Sequence, residues 1–227
     1  MKVVQVETLI RTGSFPGSDL SKRLEQNLFD AIKLVKWPTG KDNFTINPVK
    51  HGNGVKPIKN SWIAHLKSVG WKSELSIKLD LSDMSSEAPA NPGPLDAAYD
   101  TGNAQYFSAE WETGNISSSH RALNKLALGI IRGIFIGGVL IVPSSKLSPY
   151  LTDRVGNYRE LVPYFPVWRA LKTENALLQI IVVEHDSEDT GVPLINKGTD
   201  GRALQRIFFA FEHFLHLSNT IKIHNDV

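Results

Sequence analysis

Two short apolar runs, at residues 139–142 and 177–183, constrain this chain more than any other feature. Each is too short for a helix in a globular core and reads as a buried strand. Helical patterns alternate with them. Ser18 or Asp19 can cap a helix to about residue 36, with Leu20, Leu24, Leu28, Ile32 and Val35 on one face. Trp37-Pro38 ends it, because the residue before proline avoids helical geometry. Further helices are expected over 59–69, 116–132, 145–151, 158–171 and 202–217. Residues 74–81 alternate polar and apolar, the period of a half-buried strand, and 95–99 with 104–113 read as a hairpin. Strands interleaved with helices predict an α/β fold, and the hairpin makes its sheet mixed. A central mixed five- to six-stranded sheet, flanked by helices on both faces, is expected within one domain over 1–227.

Composition closes off several functions. With 227 residues, 41% of them hydrophobic, the chain can bury a core, and one domain suits that length. There is no cysteine, which excludes a disulfide framework, a thiolate metal site and a cysteine nucleophile, and suits a reducing cytosol. The N-terminal residues carry charges and turn formers where a signal peptide needs an apolar block. The longest apolar stretch, 133–143, is far short of a membrane span, so no membrane association and a cytoplasmic location are expected. A net charge of +2 neither demands nor excludes nucleic acid.

The chemistry concentrates at "FSAEWETGNISSSHRALNKLALG", residues 107–129. Glu110 and Glu112 stand two apart in a strand, so their side chains share one face and Trp111 turns to the other, into packing. Two neighbouring anions stay ionised cheaply only with a cation between them. Asp96, in the preceding strand, converges on them if the two strands pair, and Glu74, one strand earlier, is a fourth contributor. Such a cluster is a hard oxygen site suited to Mg²⁺ or Mn²⁺. Glu-x-Glu is also common on solvated strand faces; what distinguishes this one is the helix that follows. Asn115 is a plausible N-cap. Leu123, Leu126, Ala127, Ile130 and Ile134 form an apolar stripe, with Ser117, Arg121, Asn124 and Lys125 opposite. Helix N-termini attract phosphates, arginine pairs with guanine and asparagine with adenine. Carboxylates beside such a helix suggest phosphodiester cleavage. Paired carboxylates of a glycoside hydrolase fit poorly, since neighbours two apart on a strand are too close to flank a sugar.

Over "FTIN" (44–47), "NGVKPIK" (53–59), "GPLD" (93–96), "EWETGNISSSHRALNKLALG" (110–129), "YLTDRVGNYRELVPYF" (150–165) and "VPLINKGTDG" (192–201) the chain resembles the BamHI restriction endonuclease family. The resemblance implies a restriction-endonuclease-like core and a homodimer clasping double-stranded DNA. It implies Mg²⁺-dependent cleavage within a palindrome, GGATCC or very near it, leaving 5′-phosphate overhangs, with Mn²⁺ able to substitute. Asp96, Glu110 and Glu74 carry over as metal ligands and Glu112 as the general base. Asn115, Ser117, Arg121, Asp153 and Arg154 carry over as DNA readers, with Asn53 and Lys59 as backbone-positioning contacts. A cognate DNA methyltransferase would be a functional rather than a physical partner. Relatives in the wider nuclease superfamily mostly carry lysine where this chain has Glu112. The likeness fades before Phe44 and after Gly201. There Leu204, Ile207, Phe208, Phe211, Phe214 and Leu215 make an apolar face in place of a polar arm, and His213 and His216, three apart, read as a solvated or core pair rather than as metal ligands. The alternative reading is a sequence-specific DNA-binding protein without cleavage.

Overall fold

The two apolar runs are the centre of the sheet. In a computed structural model, which describes residues 1–76, 92–152 and 154–197, they become β6 (Phe135–Pro143) and β7 (Ala176–Glu184). Every residue of β7 is buried, and all of β6 but Ile136, as a strand covered on both faces requires. The remaining strands are β1 (Lys2–Thr12), β3 (Lys72–Leu75), β4 (Leu95–Gly102) and β5 (Gln105–Trp111), with a separate short pair, β2 (Thr45–Ile46) and β8 (Ser187–Glu188). The main sheet runs β1-β7-β6-β5-β4-β3. β5, β6 and β7 are mutually parallel; β1, β4 and β3 pair antiparallel. The expected mixed sheet of five to six strands is therefore present, with six.

Helices cover both faces. On one lie α1 (Asp19–Lys33) and α2 (Lys56–Ser68), whose Leu24, Leu28, Ile32, Trp62 and Leu66 pack with Phe107, Val139 and Ile181. On the other lie α3 (Ile116–Ile131), α4 (Tyr158–Leu161) and α5 (Phe165–Arg169), whose Leu123, Leu126, Leu161 and Trp168 pack with Leu140 and Leu178. Ser18 caps α1, its hydroxyl accepting from Ser21 N at 3.1 Å. The single helix expected over 158–171 is instead α4, a 3₁₀ turn at Val162–Tyr164, and α5. Pro163 and Pro166 each lack the N–H that a continuous helix needs. The helix expected over 145–151 is only a 3₁₀ turn, Ser148–Tyr150.

Met1–Asn196 forms one compact unit; of the second, Lys197–Val227, only Lys197 is described. The expected helix over 202–217, His213 and His216, and most of the strand over 74–81 lie outside the described residues. Among the described residues no helix is long and apolar enough to cross a membrane.

Candidate active site and nucleic-acid interface

The hairpin register builds the acidic cluster. Ala97 stands opposite Ala109, so the next step brings Asp96 alongside Glu110. Trp111 turns to the α1–α2 face, edge-on to Trp62 with ring centroids 5.5 Å apart. Glu110, one residue earlier, points to the other face and is 3% exposed. Asp96 Oδ2 accepts from Trp111 N at 2.8 Å and forms an ion pair with Lys59 Nζ at 2.7 Å. Lys125 reaches from α3, its Nζ donating to Pro94 O at 2.7 Å and lying 2.5 Å from Glu110 Oε1. That second approach is an ion pair without hydrogen-bond alignment, and Glu110 Oε1 accepts no aligned bond. Glu112 follows directly, its N–H donating to Ile141 O at 3.0 Å.

Burial raises the Glu110 carboxyl to about 7, Lys125 opposes the rise, and Asp96 and Glu112 add to it. Burial also raises Glu112; Lys59 opposes, Asp96 adds, and Arg121 and Lys125 oppose. Asp96 therefore acts electrostatically on both glutamates, and Glu112 on Glu110. A glutamate whose pKa is higher folded than unfolded imposes a cost that is absent below the unfolded value and complete above the folded one. Relative to wild type, Glu110→Gln should thus gain stability as pH rises from 4.5 to about 7, by about 3 kcal/mol across that window. Chelator-treated protein unfolded in urea at several pH values checks this; a wild-type-to-variant difference that is flat with pH contradicts it.

Among the described residues no three His, Cys, Asp or Glu side chains stand close enough to hold a metal ion. The donors nevertheless fit Mg²⁺. All are oxygens, and Mg²⁺ usually binds one or two carboxylates plus substrate phosphate rather than a closed protein cage. Glu74 is exposed on edge strand β3 at φ +52°, between Ser73 opposite Ala97 and Leu75 opposite Leu95. That register puts it across from Asp96. A left-handed glutamate within a strand stores backbone strain, as functional positions often do.

The DNA-reading candidates lie on two segments that meet. Asn115 is the N-cap of α3, its Oδ1 accepting from Ser118 N at 3.0 Å. Ser117 and Arg121 are exposed in the first and second turns of α3, lining with Asn124 and Lys125 a groove of about 490 Å³. Arg154 is exposed in a turn at φ +69°; Asp153 lies outside the described residues. Gly156 joins the segments. Its N–H donates to Gly114 O at 2.9 Å, and a Cβ there would lie 2.8 Å from Ile116 Cα, so only glycine permits the approach.

Asn53 and Lys59 are placed differently from the expectation. Asn53 is fully buried. Its Nδ2 donates to Asn47 O at 2.8 Å and Tyr150 O at 2.9 Å, and its Oδ1 accepts from Ile195 N at 3.2 Å. This side chain knits three loops, including the one leading to Arg154, and leaves nothing for a phosphate. Asn53→Ala should therefore cost about 2–3 kcal/mol, since the buried Asn47 carbonyl loses its donor and the buried Ile195 N–H its acceptor, and weaken specific DNA binding through the displaced loop. Thermal denaturation with fluorescence anisotropy measures both; unchanged stability would contradict the assignment. Lys59 is engaged with Asp96 rather than projecting alone into solvent. Lys125, read from sequence as part of the polar face, is instead buried against Glu110.

A mixed six-stranded sheet flanked by helices on both faces, with carboxylates at the C-terminal end of β5 beside the N-terminus of α3, is a restriction-endonuclease-like architecture. The family model described as restriction endonuclease BamHI matches residues 1–202, and the chain belongs to that family. The type II restriction enzyme OkrAI of Oceanobacter kriegii is 51% identical over 205 residues, covering 90% of this chain and all of that one. The type II restriction enzyme BamHI of Bacillus amyloliquefaciens is 36% identical over 198 residues, 83% of this chain and 88% of its own. Among solved structures, the restriction endonuclease BglII bound to a DNA 16-mer matches with TM-score 0.50 at 9% identity, over 81% of this chain and 79% of its own, a likeness of fold alone.

Proposed function

We propose that the chain acts as a homodimer on double-stranded DNA, cutting both strands within a palindrome, GGATCC, by Mg²⁺-dependent hydrolysis. The observation that carries this reading is the strand register that sets Asp96 beside Glu110, with Glu112 two residues on and just before the start of α3. Asp96 and Glu110, with Glu74 across from Asp96 in the strand register, supply the anionic oxygens for the cation. Bound there, Mg²⁺, or Mn²⁺ in its place, supplies positive charge to the scissile phosphate.

Glu112 takes the proton from the attacking water, and burial suits it to that task by raising its affinity for the proton. Water oxygen bonds to phosphorus as the bond to the 3′ oxygen breaks, and the departing oxygen takes a proton from solvent water, leaving a 5′-phosphate and a 3′-hydroxyl. Asn115, Ser117, Arg121, Asp153 and Arg154 read base edges, a bidentate arginine–guanine pair being the strongest such contact. Arg121 has a second effect, since its charge holds down the Glu112 carboxyl.

A palindrome mirrors a two-fold protein, and the family resemblance puts α3 and the α4–α5 segment at the partner. Ile131, Val162, Tyr164 and Val167, exposed on these elements, supply apolar surface for that contact. A cognate methyltransferase modifying the same sequence in the cytoplasm would protect the host's own DNA.

Supercoiled plasmid incubated with the purified protein tests the reading. Linear product in Mg²⁺, and intact but bound plasmid in Ca²⁺, is expected. Binding without cleavage in Mg²⁺ would mark a DNA-binding protein that has lost catalysis. Dimers are expected in sedimentation at micromolar concentration, and monomers both free and DNA-bound would contradict the two-fold arrangement.

A further inference from the structure

Two of the three proposed metal ligands, Glu110 and Asp96, already face a lysine, and the two lysines arrive from opposite sides of the sheet. Lys125 rises from α3 and is 9% exposed. A lysine so deeply buried needs partners to offset its desolvation. Its partners are Pro94 O, two residues before Asp96, and the Glu110 carboxylate. Lys59 comes from α2, is 30% exposed and sits on Asp96 Oδ2. Neither contact is needed for packing, because α2 and α3 are each seated by apolar side chains.

We propose that Lys125 and Lys59 are built-in counter-ions that compete with a divalent cation for Glu110 and Asp96, so that metal loading is weak until a DNA phosphate arrives to balance the added positive charge. The proposal rests on the reading of Asp96 and Glu110 as metal ligands. A cation coordinated by Glu110 stands within a few ångströms of the Lys125 ammonium, in surroundings where charges act more strongly than in water. Lys125 has little room to retreat, being buried and tied to Pro94 O. Its repulsion therefore persists and weakens binding to the free protein. Lys59 is partly exposed and can turn from Asp96 to an incoming phosphate. The phosphate then screens Lys125 and draws off Lys59, so DNA and metal favour each other, and the coupling is reciprocal. The wider superfamily places a lysine at the position of Glu112; here the lysines come from two helices and act on different carboxylates.

The test is Ca²⁺ binding by isothermal titration calorimetry to the full-length protein, free and with uncleaved duplex DNA. Lys125→Met keeps the aliphatic bulk and removes the charge. It should tighten Ca²⁺ binding to the free protein by about tenfold or more, and shrink the difference between free and DNA-bound protein. Lys59→Met should shift affinity in the same direction, and carries the test if Lys125→Met does not fold. Affinity equal to or weaker than wild type in these variants, with Ca²⁺ binding still abolished in Lys125→Met/Glu110→Gln, overturns the counter-ion proposal alone. Undiminished binding in that double variant overturns the metal-site reading as well.

Discussion

Asp96→Asn is expected to slow DNA cleavage by about 10²–10⁴-fold, the range that follows from several kcal/mol of lost transition-state stabilisation, while specific DNA binding survives or tightens. The two effects part company because of what Asp96 touches. An asparagine oxygen still accepts from Trp111 N, so the end of the hairpin keeps its geometry. The anionic oxygen for the cation is lost. Lys59 loses its carboxylate partner and is released toward a DNA phosphate. Glu112→Gln should slow cleavage by about 10²–10⁴-fold for a different reason, the loss of the base. Single-turnover cleavage in Mg²⁺ and anisotropy in Ca²⁺ measure the two quantities. Equal loss of both in a folded variant would make these residues structural.

Arg154→Ala should weaken binding to GGATCC by about 1–3 kcal/mol per half-site, the worth of a bidentate base contact, and leave non-specific binding nearly unchanged. Arg154 lies on an exposed turn held in place from two sides, by Asn53 at Tyr150 and by Gly156 at Gly114. Both anchors remain when the Arg154 side chain is removed. Arg121→Ala is expected to behave otherwise. Its charge also acts on Glu112, so cleavage should fall along with binding. Competition binding against a scrambled duplex, beside single-turnover rates, separates the two arginines. A parallel loss of specific and non-specific affinity in Arg154→Ala would assign it to the phosphate backbone instead.

Local signals in the sequence were sufficient for much of this fold. Ser18 and Asn115 mark the helix starts where the caps form, and the alternation through Glu110, Trp111 and Glu112 places the tryptophan in the core. β1 escaped notice because its pairing with β7 is irregular between Val3 and Gln5 and again between Thr8 and Ile10. Those shifts bring Leu9 and Ile10, neighbours in sequence, both into the core, which erases the period of two. The long-range polar contacts left no local trace. A lysine at 125 looks solvated on a helical projection, yet Ala122, Lys125 and Gly129 form a second buried ridge along α3. Small residues on either side of Lys125 were the only hint. Asn53 and Lys59 were recognisable as special from the family resemblance, but their partners lie far along the chain, at Asn47, Tyr150 and Ile195 for one and Asp96 for the other. Neither periodicity nor spacing encodes such pairings.

Digestion of a plasmid carrying a single GGATCC site tests sequence-specific cleavage most directly. The purified protein in Mg²⁺ should linearise that plasmid, and the sequenced ends should fall within GGATCC on both strands, with 5′ overhangs bearing phosphate. A matched plasmid with one base of the site changed should stay intact, because each lost bidentate contact costs about 1–3 kcal/mol. Ends that map to another palindrome, or to no common sequence, would contradict the account.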